Sequence, residues 1–476
     1  MSLLRTLPDW RVSLVWRLYG WAVVQEMLVL CGARPWERWF GESPFVLQAM
    51  SLCGLLLLVL GPRPLVLAAT AVFATAWGWI TAAGLDPRLD FPGAELPVFV
   101  TLPAGSVVLI LLGGARGRSA EDLSAALLGL YRLTFVVEMA FATLHKVNVD
   151  FLDPTVSCAG ALNHLLPERW DSVFASLAWL LTPPVVLFFE AVSPVLAILY
   201  WPLGLLVLLG FVLGLAMIGP TGFTAVTVSA AFSFVRGTTA EEFYRLPRGH
   251  PWWCVIAGAG LVAYVFVSHR APPSYPWGQY ALYVLVVGFL AACLGGEIAR
   301  DLRGGRPGGI RSVLVFGWPR PSRFRAALVL FGLLLVANGL TPYTGYRYHF
   351  SFSMLSNLRA DQMRWNSYVF PRWLRLVDED PFVEVTKVRI RRRGGRATDP
   401  DRELFEAHFP PYEFVRRVDY HLGHGHEVYV WIRYEGREHA LLGVGRNPEA
   451  RAFLDGLPRA QLFQKVLVKG PQPCVH

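Results

Sequence analysis

Hydrophobic positions along the first 340 residues fall in long, nearly unbroken runs, and polar residues gather in the short stretches between them. A membrane-crossing helix needs about 20 predominantly apolar residues. Roughly eleven runs fit: Leu14–Leu30, Phe45–Leu60, Leu65–Ala83, Val98–Leu112, Leu123–Leu144, Val173–Phe189, Val195–Met217, Phe223–Val235, Trp252–Val267, Tyr280–Leu294 and Phe324–Leu340. The run Phe223–Val235 either re-enters the bilayer or fuses with its predecessor across Gly219-Pro220. Thr182-Pro183-Pro184 is expected to kink or break its helix, because proline removes a donor and clashes with the preceding turn. The first run has no small-residue cleavage site after it and is read as a retained helix.

After Leu340 the pattern changes. Residues 341–371 are polar and aromatic, with Tyr343, Tyr346, Tyr348, Phe350, Phe352, Trp365 and Tyr368, and read as an interfacial segment. Residues 372–476 alternate with the period of half-buried strands at Val383–Ile390 and Val428–Arg433. Glu435-Gly436 turns the second of these toward Ala440–Val444 in a hairpin, and Pro448–Leu454 reads as a helix. The expected fold is therefore mainly α: a polytopic transmembrane helical bundle of about 9–11 helices over residues 1–340, followed by a small C-terminal extracytoplasmic α+β domain.

Composition agrees: 54% of the 476 residues are hydrophobic and 17% charged, against about 25% charged in a soluble domain. The lipid bilayer is thus the first partner. The net charge of +9 does not point to nucleic acid, since the arginines lie in loops and the tail rather than on one soluble basic face. They instead orient the chain. Arg300, Arg303, Arg306, Arg311, Arg320 and Arg323, with Arg325 at the start of the last run, make the loop before that run cytoplasmic by the positive-inside rule. Counting back places the N-terminus in the cytoplasm, the tail outside, and the end of the Leu123–Leu144 run on the outer side. Of six cysteines, Cys53, Cys254 and Cys293 fall within helices, whereas Cys31, Cys158 and Cys474 fall in or near outer segments. Disulfides persist there, and a pairing of Cys158 with Cys474 or Cys31 is expected.

The run Leu123–Leu144 ends in a polar break, His145-Lys146-Val147-Asn148-Val149-Asp150. Tyr131, Glu138 and His145 are seven apart and share one helix stripe to within about twenty degrees, with Lys146 about eighty degrees from Glu138. A carboxylate within a bilayer faces protein or water, which makes Glu138 a candidate site residue. Burial disfavours the charged form of an amine, and a general base must be neutral; Lys146 is the candidate base. The alternative reading is structural, with Lys146 snorkelling to the interface and Asp150 capping the next element. Arg17, Arg132, Glu26 and Glu190 also interrupt apolar runs. Arg132 is expected to pair with a glutamate, and Glu190 to face headgroups. His421, His424 and His426 straddle a Gly-rich turn with no nearby cysteine or fourth ligand, and are not read as a metal site. No P-loop, Gly-x-Ser-x-Gly or His-Glu-x-x-His is present.

Two segments carry a family resemblance. Lys146-Val147-Asn148-Val149-Asp150-Phe151-Leu152 is similar to the Lys-Leu-Asp/Asn-x-Asp-Trp-Leu/Val signature of the vitamin K-dependent γ-carboxylase-like membrane family, whose bacterial members are called horizontally transferred transmembrane proteins. Phe350-Ser351-Phe352-Ser353-Met354-Leu355-Ser356-Asn357-Leu358-Arg359, followed by Asn366, resembles a recurrent run in bacterial membrane proteins of this sort. The resemblance implies that Lys146 is the base that deprotonates a quinol, as in the carboxylase, where oxygenation of the quinol then yields the strong base that attacks glutamate. It makes Asp150 and Asn148 the orienters of Lys146, leaves His145 a neighbour without a counterpart, and makes a quinone-like molecule the implied cofactor. Phe151 stands where the signature has tryptophan, and Phe211–Met217 is wholly apolar where a histidine is expected. The short tail also speaks against carboxylation of a protein.

Two functions compete. The first is a membrane enzyme using Lys146 on a quinol or other lipophilic substrate. The second is a non-catalytic membrane subunit or anchor whose outer domain binds a protein partner. A transporter ranks third, because no paired, Gly/Pro-broken half-repeats are seen.

Overall fold

Where a chain runs apolar for many residues, helices satisfy every backbone donor and acceptor within the segment, and this dominates the architecture. In a computed structural model, the described residues are 9–31, 45–82, 96–114, 119–159, 182–216, 221–249, 277–303, 319, 322–344, 356–360, 365–376, 382–392, 407–409, 411–423, 425–457 and 467–468. The chain is mainly helical: α1 Trp10–Cys31, α2 Phe45–Leu60, α3 Pro64–Ala82, α4 Leu96–Gly114, α5 Ala120–Lys146, α6 Val149–Leu152, α7 Pro183–Leu199, α8 Trp201–Ala216, α9 Thr221–Ala231, α10 Gly237–Gly249, α11 Trp277–Arg303 and α12 Ser322–Thr344. Three stretches among the described residues are long and apolar enough to cross a membrane: Ala120–Lys146, Tyr283–Arg303 and Arg323–Thr344. Others, such as Phe45–Leu60 and Trp201–Leu215, are apolar but shorter. The expected helix Trp252–Val267 lies outside the described residues. On α12, Leu330, Leu333 and Leu334 form an exposed apolar stripe at helical spacing, as a lipid-facing surface does.

The chain divides into two compact units. The first comprises Met1–Gly78, Glu95–Thr143 and Leu162–Ala337. Small residues let α1 and α2 approach closely: a Cβ on Gly20 would lie 2.6 Å from the Gly54 carbonyl oxygen, the packing mode favoured between membrane helices. Arg17 lies beside them and donates to the carbonyls of Leu58 and Val59, so it caps the end of α2. Tyr19 donates to the Phe99 carbonyl at 2.7 Å.

Several expectations are corrected here. Among the described residues Arg132 bonds no glutamate: its Nε and NH2 donate to the Ser233 carbonyl at 3.0 and 2.8 Å, and its guanidinium lies 5.4 Å from the Phe234 ring. The 3-10 turn Phe232–Phe234 that ends α9 leaves that carbonyl available. Glu190 is buried rather than facing headgroups. The Pro183-Pro184 pair, expected to kink or break its helix, begins one with Thr182 as N-cap, because the missing N–H of proline is harmless in the first turn; residues 160–181 before it lie outside the described residues. The run Phe223–Val235 contributes most of α9, an 11-residue helix that rises only about 17 Å, and the expected junction at Gly219-Pro220 lies outside the described residues.

The second unit comprises Trp79–Ala94, Leu144–Ala161 and Asn338–His476. The expected boundary at residue 340 falls close to its edge, but the unit also takes in the polar break after α5. Its C-terminal part is a five-stranded antiparallel sheet of β1 Val383–Arg392, β2 Ala407–Phe409, β3 His426–Tyr434, β4 Arg437–Leu441 and β5 Leu467–Val468, in the order β4-β3-β1-β2-β5. Helix α13, Pro411–Gly423, packs Phe414, Val415 and Val418 into the same core as the strands. In β1, Val383 and Val385 point inward, and so do Val388 and Ile390. The irregularity between Val385 and Lys387 resets the pleat, since one extra residue flips every later side chain to the other face. The second strand of the hairpin was expected at Ala440–Val444. It begins at Arg437 instead, because Glu435 and Gly436 both take positive φ and form a two-residue turn that pairs Tyr434 directly with Arg437. The last helix, α14 Pro448–Gly456, is capped by Asn447, which accepts from the N–H groups of Glu449 and Ala450. Asn447→Ala is expected to cost about 1 kcal/mol, read as a shift in the urea midpoint of the tail domain.

Candidate functional site

The polar break after α5 forms a buried clasp within the second unit. Its two sides are residues 145–158 and, among the described residues, 343–344, 356–360 and 365–376. Lys146 ends α5 and is 4% exposed; His145, Asn148, Asp150, Asn357, Arg359 and Asn366 are all buried. Polar groups survive burial only when they are hydrogen-bonded, and three asparagines meet that need.

Asn148 breaks the helix with extended backbone and caps α6, accepting from the Phe151 N–H at 2.8 Å. Its amide nitrogen donates to the carbonyls of His145 at 2.7 Å and Ser356 at 2.6 Å, and its oxygen also accepts from Asn366 Nδ2 at 3.3 Å. An asparagine side chain has two donors and two acceptor positions; all four are occupied. The part Asn148 takes in any chemistry is therefore positional, holding the loop rather than contacting Lys146.

Asn366 does the corresponding work from the other side. Its Oδ1 accepts from the Arg359 N–H at 2.7 Å, and its Nδ2 points at Asp150 Oδ2 at 2.9 Å and the Asn357 carbonyl at 2.8 Å. Backbone bonds close the clasp: Val149 N–H to the Asn366 carbonyl at 3.0 Å and Tyr368 N–H to the Val147 carbonyl at 3.2 Å. Asn357 is the third link. It donates to the Val156 carbonyl at 2.8 Å and accepts from the Cys158 N–H at 2.7 Å. It does so at φ of 50°, a left-handed backbone that asparagine tolerates better than other non-glycine residues.

His145 is placed by Tyr343, whose hydroxyl lies 2.8 Å from its Nδ1. Tyr343 packs on Phe370 at 4.1 Å between ring centroids, and Trp365 donates to the Phe370 carbonyl at 2.8 Å. The Lys146 amine lies 6.0 Å from the centroid of the Phe151 ring, within reach of a cation–π contact. Phe151 thus turns an aromatic face toward the lysine. Beyond α6, the hydroxyl and N–H of Thr155 hold the Asp153 carboxyl below the usual carboxylate range.

The structure thus gathers His145, Lys146, Asn148 and Asp150 in one unit. Glu138 belongs to the first unit, where its Oε1 accepts from the Thr227 hydroxyl at 3.0 Å and its Oε2 is buried with no hydrogen-bond partner among the described residues. Tyr131, one heptad earlier, packs edge-on against Trp16 at 5.4 Å. The three members of the stripe therefore meet three different neighbours. Sequence reasoning placed Tyr343 in the interfacial segment and named Ser356 and Arg359 only within the run that carries the resemblance, without a site role for any of them. The signal for Tyr343 was its place among clustered aromatics; nothing in spacing marks a carbonyl such as that of Ser356.

No metal-binding group of three or more His, Cys, Asp or Glu occurs among the described residues. His421 and His426 meet through their Nδ1 atoms at 3.2 Å, while His424 lies outside the described residues. Cys53 and Cys293 are free thiols. Cys158 is disulfide-bonded, and Cys31's side chain and Cys474 lie outside the described residues. Non-reducing peptide mapping is expected to find the Cys158 peptide joined to that of Cys474 or Cys31; a join to neither removes the pairing.

No protein-family model, curated protein or solved structure matches the chain. The class that fold and site define is a mainly helical protein with helices apolar enough to cross a membrane, a small antiparallel sheet at its C-terminus, and an asparagine-braced polar clasp at a helix end.

Proposed function

We propose that this is a membrane enzyme in which Lys146 acts as general base on a lipophilic, quinol-like substrate. One observation carries the reading: a lysine only 4% exposed ends a 27-residue helix beside a buried histidine and a buried aspartate, in a loop whose backbone is fixed on both sides by asparagines. Such bracing holds a reactive group in place, and preorganisation is what a base needs. In the proposed step the amine takes the proton of a quinol hydroxyl and the quinolate keeps the electron pair. Asp150 and His145 set the electrostatics around the amine, and Asn148 sets the backbone. The resemblance to the γ-carboxylase-like family supports the same lysine. The proposed topology is a polytopic bundle of 9–11 helices, with the N-terminus cytoplasmic and the clasp and tail domain on the outer face. The test is the loss of quinol-dependent turnover in Lys146→Ala with folding intact.

A second reading is favoured by one observation. Every hydrogen-bonding position of Asn148 is occupied inside the clasp, as in a purely structural joint. In that case the chain is a membrane anchor whose tail domain binds a protein. Purification in mild detergent decides it: a stoichiometric protein partner supports the anchor, and a chain that runs alone counts against it.

A further inference from the structure

Between the clasp and the tail domain, several large apolar side chains of the described residues are exposed. Tyr368 is 64% exposed, Val369 43%, Trp373 78% and Leu376 71%; across the clasp, Val149 is 43% and Leu152 41% exposed. Val149 and Tyr368 are brought side by side, because Asn148 bridges to Ser367 and the Tyr368 N–H bonds the Val147 carbonyl, and Val369, Trp373 and Leu376 follow Tyr368 along the same segment. Water does not favour such a ridge, and exposed apolar patches mark interaction sites.

Its position along the helices says which. Helix α5 has 27 residues and α12 has 23, or about 40 and 34 Å at 1.5 Å per residue, each enough for a hydrocarbon core of about 30 Å. The C-terminal ends of both helices are tied to this same segment. Tyr368 is bonded to Val147, one residue past α5, and the Leu376 N–H donates to the carbonyl of Thr344, the last residue of α12, at 3.0 Å. A segment pinned to two such ends sits where the hydrocarbon gives way to headgroups, the depth at which tryptophan and tyrosine are favoured. Arg372, exposed next to Trp373, supplies the charge that anionic headgroups attract.

We propose that Tyr368, Val369, Trp373 and Leu376, with Val149 and Leu152, form a ridge that inserts into the headgroup layer of an anionic bilayer and fixes the clasp at that depth. The inference rests on α5 and α12 crossing the membrane. It also puts the C-terminal ends of α5 and α12 at the same membrane face.

Photo-crosslinking tests it. The full-length variants Trp373→p-benzoylphenylalanine and Leu333→p-benzoylphenylalanine are irradiated in native membranes and in vesicles of phosphatidylglycerol. Position 373 is open to solvent, so the fold tolerates the probe. A phospholipid adduct at both positions is the expected result, and adding Arg372→Glu lowers the adduct at 373 in the anionic vesicles on the order of tenfold. A lipid adduct at 333 with a polypeptide adduct, or none, at 373 overturns the ridge while leaving the membrane reading in place. No lipid adduct at either position removes both. An adduct at 373 insensitive to Arg372→Glu overturns the assignment to anionic headgroups.

Discussion

Asn366→Asp is expected to destabilise the second unit by about 3–5 kcal/mol. The change keeps the size and the Oδ1 acceptor for the Arg359 N–H, and removes the NH2 group that serves Asn148, Asp150 and the Asn357 carbonyl. As a carboxylate it places a second negative charge where Asp150 Oδ2 now receives a donor at 2.9 Å. As a neutral acid it returns one donor in place of two. Either way the buried acceptors lose donors that they now share, and the loss is carried by breaking a network rather than one bond. The thermal midpoint in detergent falls, and amide exchange of Val149 and Tyr368, whose N–H groups close the clasp, accelerates sharply. Glu438→Gln, on the exposed hairpin, stays within about 0.5 kcal/mol. An unchanged midpoint for Asn366→Asp contradicts the clasp.

Lys146→Ala and Lys146→Met are expected to keep the midpoint near that of the unaltered chain and to lower kcat by about 10²–10⁴. Methionine fills the space of the lysine stem beside Phe151 without an amine, so lost packing and lost base are separated. The readout is oxygen-dependent loss of a supplied quinol, because a quinolate reacts with dioxygen faster than the quinol does. Partial recovery of Lys146→Ala by added primary amines is a second expected result, which a purely structural role does not produce. Equal rates in all three proteins mean that Lys146 is a structural residue.

Much of the fold is legible in the sequence, and the parts that are not have physical reasons. Helices such as α5 and α12 follow from apolar runs alone. The tail strands β1 and β3 show in the alternation of Val383–Ile390 and Val428–Arg433, and their bounds move by only a few residues. The three residues of β2 and two of β5 are too short to carry a period. The hairpin's second strand starts early because backbone torsion at Glu435-Gly436, not hydrophobicity, sets the register. At the site, the residue types at His145–Asp150 pointed to the polar break. Its closure by Asn366, some 216 residues away from Asp150, is a long-range fact that spacing does not encode. Arg132 and Glu190 were misplaced for the same reason: a side chain's partner on another helix depends on packing, and a backbone carbonyl such as that of Ser233 is invisible in a sequence.

The most direct test of the central claim is photolabelling of the membrane-embedded protein with an azido-quinone, followed by peptide mapping. The account predicts label on the peptides spanning residues 144–152 or 365–376, competed by excess quinone, with Lys146→Met labelled at the same place though inactive. Label confined to other peptides, or undiminished by competing quinone, contradicts it.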